Sequence, residues 1–448
     1  MTRLVSLAAL VLTALPARSQ GVNTAVQAYA WAGKAMSASY APAAAYTYNA
    51  SGGGTTATRS GTGTYRMEFE GVDGSEGTAQ VSAYGSSAVC TVAGWEPSPL
   101  AVEVRCWDAA TRAPTDSRYT VAFLKATDGA PRVRYVYANQ PDAPFYLVSH
   151  DFLYNPNGSI SVSRQGTGRY RVRFLNVPTD VAAYGTVQVT PVLSAAHCVA
   201  ETWGPADAGS TLEMKVACYD ADGPADSRFT ALFVSNSGPE TSGMAFTYAT
   251  DPTADSYTPP GNGSYVFGNG SVLVTRSSEA HYAVRFSRLG GATPGGIALV
   301  TAAGDTDAHC SVRMWSSADE HVVVNPSCSA PSGGPLDARY TTLFLWPDRP
   351  APVADEGRPD AEGLGLHLGG PNPVRTRTSL SVQLAEAADV RLSVVDLLGR
   401  EVLALSNGPR PAGTHTVAVE ASALPPGVYL ARLVAGRETR TVRFTVVR

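Results

Sequence analysis

Apolar and polar residues alternate in short runs along most of the chain. In Tyr65-Arg-Met-Glu-Phe69, Tyr170-Arg-Val-Arg-Phe174 and Tyr282-Ala-Val-Arg-Phe286 the odd members are apolar and the even members mostly polar. A period of two sends alternate side chains to opposite faces, so each run predicts a strand with one buried face. A second strand is expected after each, at 78–84, 186–192 and 296–301. Further on, Val102, Val104 and Cys106 share one parity, as do Leu212, Met214, Val216 and Cys218, which puts the second cysteine of each pair on the core face. Roughly eight such runs per 110 residues, separated by turn residues and without helical periodicity, predict small antiparallel sandwiches.

The pattern occurs three times. Its clearest landmarks are Cys90, Trp95, Cys106 and Asp116-Ser-Arg-Tyr; Cys198, Trp203, Cys218 and Asp226-Ser-Arg-Phe; and Cys310, Trp315, Cys328 and Asp337-Ala-Arg-Tyr. Each copy opens on an aromatic stretch, Tyr29-Ala-Trp31, Tyr135-Val-Tyr137 or Phe246-Thr-Tyr248, and each has an arginine six positions before a tyrosine: Arg59 and Tyr65, Arg164 and Tyr170, Arg276 and Tyr282. Cysteine separations of 16, 20 and 18 vary as a hairpin turn varies. Pairing within copies, Cys90 with Cys106, Cys198 with Cys218 and Cys310 with Cys328, is therefore expected over the other arrangements of six cysteines. The fold class expected is all-β: three tandem disulfide-bonded antiparallel β-sandwich or jelly-roll-like repeats, followed by a small β-sandwich. The boundaries are 20–130, 131–240 and 241–347, then a Pro-rich and acidic linker at 348–369 and a last domain at 370–448. At this size each copy is expected to bury its own core and behave as a bead on a string.

Met1-Thr-Arg3, an apolar run to Leu15 and Pro16-Ala17-Arg18-Ser19 read as a signal peptide, residues 1–19, too short to span a bilayer. No later segment predicts a membrane span. Paired cysteines in an exported chain become disulfides. A net charge of −4 over 448 residues, with no Lys/Arg run, gives no field for nucleic acid.

Motifs of hydrolases, zinc peptidases and nucleotide-binding loops are not found, and the chain reads as a non-enzyme with no catalytic residues, metal or cofactor. His197 and His309 each precede a cysteine, but the first copy has Val89 there, and an oxidised cysteine supplies no thiolate. Asp220-Ala-Asp222-Gly223 and Asp305-Thr-Asp307 resemble pieces of calcium loops and do not recur. The repeated Asp-x-Arg, namely Asp116 and Arg118, Asp226 and Arg228, Asp337 and Arg339, has a plain reading as a local ion pair. Counting from an inward cysteine, Trp95, Trp203 and Trp315 point outward unless a bulge intervenes. Together, Trp95, Arg118, Trp203, Arg228, Trp315 and Arg339 form a candidate binding surface; otherwise each Trp caps its sandwich.

The C-terminal segment carries ordered landmarks: Pro371-Asn372-Pro373, Val390-Arg-Leu-Ser-Val-Val-Asp396-Leu-Leu-Gly399-Arg400, Ala412-Gly413-Thr-His415 and Leu424-Pro-Pro-Gly427-Val-Tyr429. Leu392, Val394 and Asp396 read as a strand that turns at Leu397-Leu-Gly399-Arg400 and returns from Glu401. This segment resembles the type A C-terminal sorting domain of the type IX (Por) secretion system. The resemblance implies a seven-strand Ig-like sandwich, the type IX machinery and a sortase-like peptidase as partners, and delivery to the cell surface or medium; it is silent on the cargo. For the body, the expectation is a structural, adhesive or binding protein, with surface glycans or proteins as partners. A carbohydrate-binding protein is the alternative, and a hydrolase is third.

Overall fold

The alternating runs of the first copy fold as nine strands: β1 (Val26–Ala32), β2 (Ser39–Tyr40), β3 (Thr47–Asn49), β4 (Thr55–Gly61), β5 (Thr64–Phe69), β6 (Thr78–Tyr84), β7 (Val89–Pro97), β8 (Leu100–Trp107) and β9 (Arg118–Leu124). The second copy repeats them as β10 (Val133–Ala138) to β18 (Arg228–Ser235), and the third as β19 (Met244–Ala249) to β27 (Arg339–Leu345). This computed structural model describes residues 25–126, 133–156, 158–206, 210–235, 243–268, 270–291, 293–317, 320–347, 365–368, 374–384, 387–396, 400–411, 413–436 and 438–447. The signal peptide expected at 1–19 and Pro371, Asn372, Pro373 and Gly399 lie outside the described residues.

In each copy an inner sheet of order β3-β1-β9-β6 packs on an outer sheet of order β7-β8-β5-β4-β2, or their equivalents. Between them lie Met67, Phe69, Val81, Val102, Val104, Tyr119, Val121 and Phe123 in the first copy, with corresponding residues in the second and third. The three expected disulfides form, Cys90–Cys106, Cys198–Cys218 and Cys310–Cys328, each joining directly opposed residues of one hairpin.

The copies are not beads on a string. The outer sheet of one continues, through a parallel strand pair, into the inner sheet of the next. β7 of the first copy pairs with β15 (Gly185–Val192) at Val92 and Val192; β16 (His197–Ala206) pairs with β24 (Ile297–Ala303) at Ala200 and Ala303; β25 (His309–Ser316) returns to β6 at Val312 and Tyr84. One backbone hydrogen bond marks each joint: Leu193 N–H to Val92 O, Gly304 N–H to Ala200 O and Gly85 N–H to Val312 O, at 2.9, 3.0 and 2.8 Å. The result is three nine-stranded sheets closing a cycle, inside one compact unit, Met1–Ala351.

Closure buries the inner sheets on both faces, which explains why β6, β15 and β24 lack the alternation of half-exposed strands. The face turned away from each copy's own core carries a polar ladder. Thr230 Oγ1 donates to Ala79 O, Thr341 Oγ1 to Val187 O and Thr120 Oγ1 to Ala298 O, at 2.9, 2.7 and 2.9 Å. The amides of Val81, Val189 and Val300 donate to the hydroxyls of Thr190, Thr301 and Ser82. Gln80 and Gln188 brace two of the three contacts through Thr230 and Thr190, and Thr341 and Thr301; the third copy has Leu299 at that place. These hydroxyls are fully or nearly fully buried, so leaving one unpaired would cost about 1–3 kcal/mol.

The second unit is a seven-stranded sandwich of three and four strands: β28 (Gly365–Leu368), β29 (Arg377–Leu384) and β32 (Gly413–Glu420) face β30 (Ala388–Val395), β31 (Glu401–Arg410), β33 (Gly427–Ala435) and β34 (Glu438–Val446). Its first strand begins at Gly365, inside the stretch expected to be linker.

Candidate functional site: clasps and aromatic seams

The repeated aspartate does not pair with the arginine two residues on. Asp116 is gripped by Arg59, whose Nε and Nη2 donate to Oδ1 and Oδ2 at 2.8 and 2.7 Å, by the Gly63 amide at 2.9 Å and by the Tyr65 hydroxyl at 2.9 Å. Tyr65 in turn accepts the Ser117 amide. Asp226 is held in the same way by Arg164, Gly168 and Tyr170, and Asp337 by Arg276, Ala280 and Tyr282. This is why arginine stands six residues before tyrosine in every copy: the β4–β5 hairpin and its equivalents bring both onto one carboxylate. The Arg59 hydrogen bonds pull the Asp116 carboxyl down to about 2, and those of Arg164 hold the Asp226 carboxyl below its usual range. At Asp337 burial opposes the shift, and Arg276 with the Ala280 amide and Tyr282 outweighs it. A carboxylate held in this way ties loops together.

Arg118, Arg228 and Arg339 are exposed at the starts of β9, β18 and β27. Arg118 lies over the Tyr84 ring at 5.1 Å, and Arg228 Nε donates to Asn139 O.

The expected outward parity of the three tryptophans fails because a bulge does intervene, at Val92/Gly94, Ala200/Thr202 and Val312/Met314. Each bulge directly follows the residue that bridges to the next copy, and it turns the Trp into the seam. There the Trp meets the opening aromatic of the following copy: Trp95 meets Tyr137 at 5.9 Å between ring centroids, Trp203 meets Tyr248 at 4.7 Å and Trp315 meets Trp31 at 6.2 Å. The opening aromatics were visible in the sequence as landmarks of the repeat, but nothing in a linear reading places them against the Trp of another copy. Arg118 reaches the third-to-first seam through Tyr84, which touches Trp315 at 5.4 Å. Trp and Arg thus converge there from different copies, instead of from one.

The third-to-first seam is filled: Trp31, Tyr46, Tyr84 and Trp315 interlock, and Trp315 is 7% exposed. In the first-to-second seam the corresponding residues are Tyr137, Phe152, Val192 and Trp95, and a cleft of about 520 Å³ opens beside them.

His197 and His309 are buried 5.5 Å apart. Their Nε2–H groups donate to Asp307 O and Ser87 O, both at 2.6 Å, and Arg112 donates to His197 Nδ1 at 3.1 Å. Burial pushes His197 down to about 3, helped by His309 and Arg112, and His309 down to about 4. The rings are structural plugs between copies. Asp220 caps its own turn through the Asp222 amide, and Asp307 offers its carbonyl to His197. Among the described residues no cluster of three or more metal-ligating side chains forms.

In the C-terminal unit Asp396 accepts from the Arg400 amide and Nε at 3.0 and 2.7 Å, holding the end of β30 beside the start of β31. Buried Tyr429 donates to Pro425 O. Gly413 has φ +119°, a value that favours glycine, whereas Gly427 opens β33 in extended backbone instead of making a turn. Among the described residues no helix is long and apolar enough to cross a membrane.

No curated protein matches the chain. Among solved structures, the chain is similar to PorZ of Porphyromonas gingivalis, described as an essential bacterial surface component of the type-IX secretion system, at 9% identity over 88% of this chain and 44% of that one. The chain thus covers less than half of that protein, and a TM-score of 0.14 carries no structural argument. The C-terminal unit is different: residues 371–447 match the family model described as secretion system C-terminal sorting domain, and this part of the chain is a sorting domain of the type IX system.

Proposed function

We propose that the body of this type IX cargo acts at the cell surface or outside the cell as a structural, adhesive or binding protein and not as an enzyme. The sorting domain indicates export by the type IX system. The machinery's sortase-like peptidase is the partner that would remove it, leaving the body attached or released. One observation carries the reading of the body. The repeated aspartate, the arginine six positions before tyrosine and that tyrosine hold one another in the Asp–Arg–Tyr clasps, and the repeated arginines outside them, Arg118, Arg228 and Arg339, are of one kind, so the repeats offer no unlike groups converging on a substrate. The surface left for interaction is the half-exposed aromatic lining of a seam.

Two measurements test this. Deleting 371–448 should hold the chain in the periplasm of its native host, while the intact chain reaches the surface or medium. The mature protein should adhere to immobilised cell-surface polysaccharide or matrix protein and leave panels of ester, peptide and glycoside substrates uncleaved; turnover of any of them would overturn the non-enzymatic reading. Among binding roles, carbohydrate recognition is favoured by the open first-to-second seam.

A further inference from the structure

We propose that the cleft in the seam between the first and second copies binds a neutral carbohydrate, with a pyranose ring stacked on an aromatic face of the lining made by Trp95, Tyr137 and Phe152. The inference rests on the binding reading above and narrows it to one site and one ligand class.

The three seams are built from equivalent positions, so each is a control for the others. Where the third copy meets the first, four large rings fill the space. Where the second meets the third, Tyr248, Gly263 and Ala303 are smaller, but Trp203 closes on Tyr248 and its indole N–H donates to Gly185 O at 3.1 Å. Where the first meets the second, Tyr137 replaces Trp31 and Val192 replaces Tyr84, and Trp95 does not close the gap. Its ring stays half-buried against Phe123 and Tyr137, and among the described residues its indole N–H has no protein acceptor. The remaining volume, about 520 Å³, falls in the range of small-molecule sites.

Backbone strain points to the same place. The residue after the bridging strand is Gly85 in the first copy and Gly304 in the third, both left-handed, at φ +69° and +86°. In the second copy it is Leu193, at φ +59° and 52% exposed, on the rim of the cleft. Glu76, also on the rim, is left-handed at φ +53°. Left-handed backbone is unfavourable for a non-glycine residue, and such residues gather at ligand sites. Neither fold nor solubility requires a leucine there, as the two glycines show.

The chemistry of the lining selects the ligand. The rim carries the exposed carboxylates of Glu76 and Asp151 and, among the described residues, no lysine or arginine, which disfavours anions and supplies acceptors for hydroxyl groups. Trp95, Tyr137 and Phe152 follow one another at 5.9 and 5.5 Å with their planes inclined by 59° and 89°, so the lining offers ring faces and edges in turn, and a cationic ligand is the competitor that the test includes. A sugar presents to one such ring face its apolar C–H face and to the rim its hydroxyls.

The test uses the full mature chain. Neutral tetrasaccharides with glucose, N-acetylglucosamine, mannose and galactose repeats are titrated calorimetrically, with choline as the cationic probe. At least one tetrasaccharide should bind, and Val192→Tyr, which restores the ring present as Tyr84 in the filled seam, should weaken it at least tenfold without lowering the thermal midpoint. Leu193→Gly should weaken binding several-fold while raising the midpoint. Glycan binding untouched by Val192→Tyr would overturn the site but leave the binding reading standing. Choline binding in place of the sugars, or no saturation by any tetrasaccharide at millimolar concentration, would overturn the ligand class; adhesion of the same preparation to matrix protein would still uphold the wider reading.

Discussion

At the scale of single residues, groups that look reactive are committed to holding the fold together, the clasps within each copy and the histidines between copies. Asp226 accepts from Arg164, Gly168 and Tyr170 together, so Asp226→Asn removes the charge from a partly buried network and leaves a guanidinium unpaired. Loss of about 2–4 kcal/mol is expected in urea unfolding, because charge-assisted hydrogen bonds are worth more than neutral ones. The buried histidines make stability depend on pH. His197 and His309 have folded values of about 3 and 4, below the unfolded value of 6.5, so the fold favours their neutral forms. Their contribution is present above about pH 6.5 and is lost as pH falls toward 4 and then 3. Arg112 faces the pair, while Tyr219 stacks on His197 with Arg169 above it and Asp220, Asp305 and Asp307 nearby; none of these offers a carboxylate contact to either ring that would offset a new charge. Between pH 6.5 and 4 the wild type should lose stability more steeply than His197→Gln/His309→Gln; parallel curves would refute the assignment.

At the scale of elements, the bulge in the strand after each first cysteine is the decisive local feature. It follows the bridging residue, ends the parallel joint and rotates the Trp from solvent into the seam. The same element therefore has two fates. Trp315 is an interlocked core residue, and Trp315→Ala should cost about 3–5 kcal/mol, as large aromatic truncations in cores do. Trp95 borders open space, and Trp95→Ala should cost clearly less in the same thermal melts. Equal losses would mean that the first-to-second seam is as tightly packed as the third-to-first.

For the whole molecule, cyclic closure adds to the cores of the copies a central cluster that all three share. Tyr29, Tyr135 and Phe246 each stack on a tyrosine of their own copy, at 5.7 Å in all three cases, and belong with residues of all copies to one central cluster. The body should unfold in a single transition. Replacing Cys198 and Cys218 by alanine should lower its stability by about 2–4 kcal/mol and move that transition as a unit, read by calorimetry and by near-UV dichroism. A fragment of residues 131–240 alone should be poorly folded, since it would expose the polar ladder and two open sheet edges. Separate melting of one copy would restore the picture of independent modules.

The sequence by itself determined what is local. Period-two alternation specified β5 and β8 and their equivalents, the cysteine spacing specified the hairpin disulfides, and the ordered landmarks near the C-terminus specified the sorting domain, because each depends on neighbours within a turn or two of strands. Arg59, Tyr65 and Asp116 were all visible as repeated residues, yet their convergence was not, since Asp116 lies more than fifty positions from Arg59 and the nearer Arg118 was the obvious partner. Tertiary structure alone decided which face of β9 was a surface. Thr120 and Ala122 alternate with the core residues as solvent-facing positions would, and a small side chain or a hydroxyl suits water and a hydrogen-bonded interior equally well. Closing the ring made that face a second core, turned the tryptophans inward and left one seam open, because packing between copies depends on side-chain volumes that meet only when separate copies are brought together.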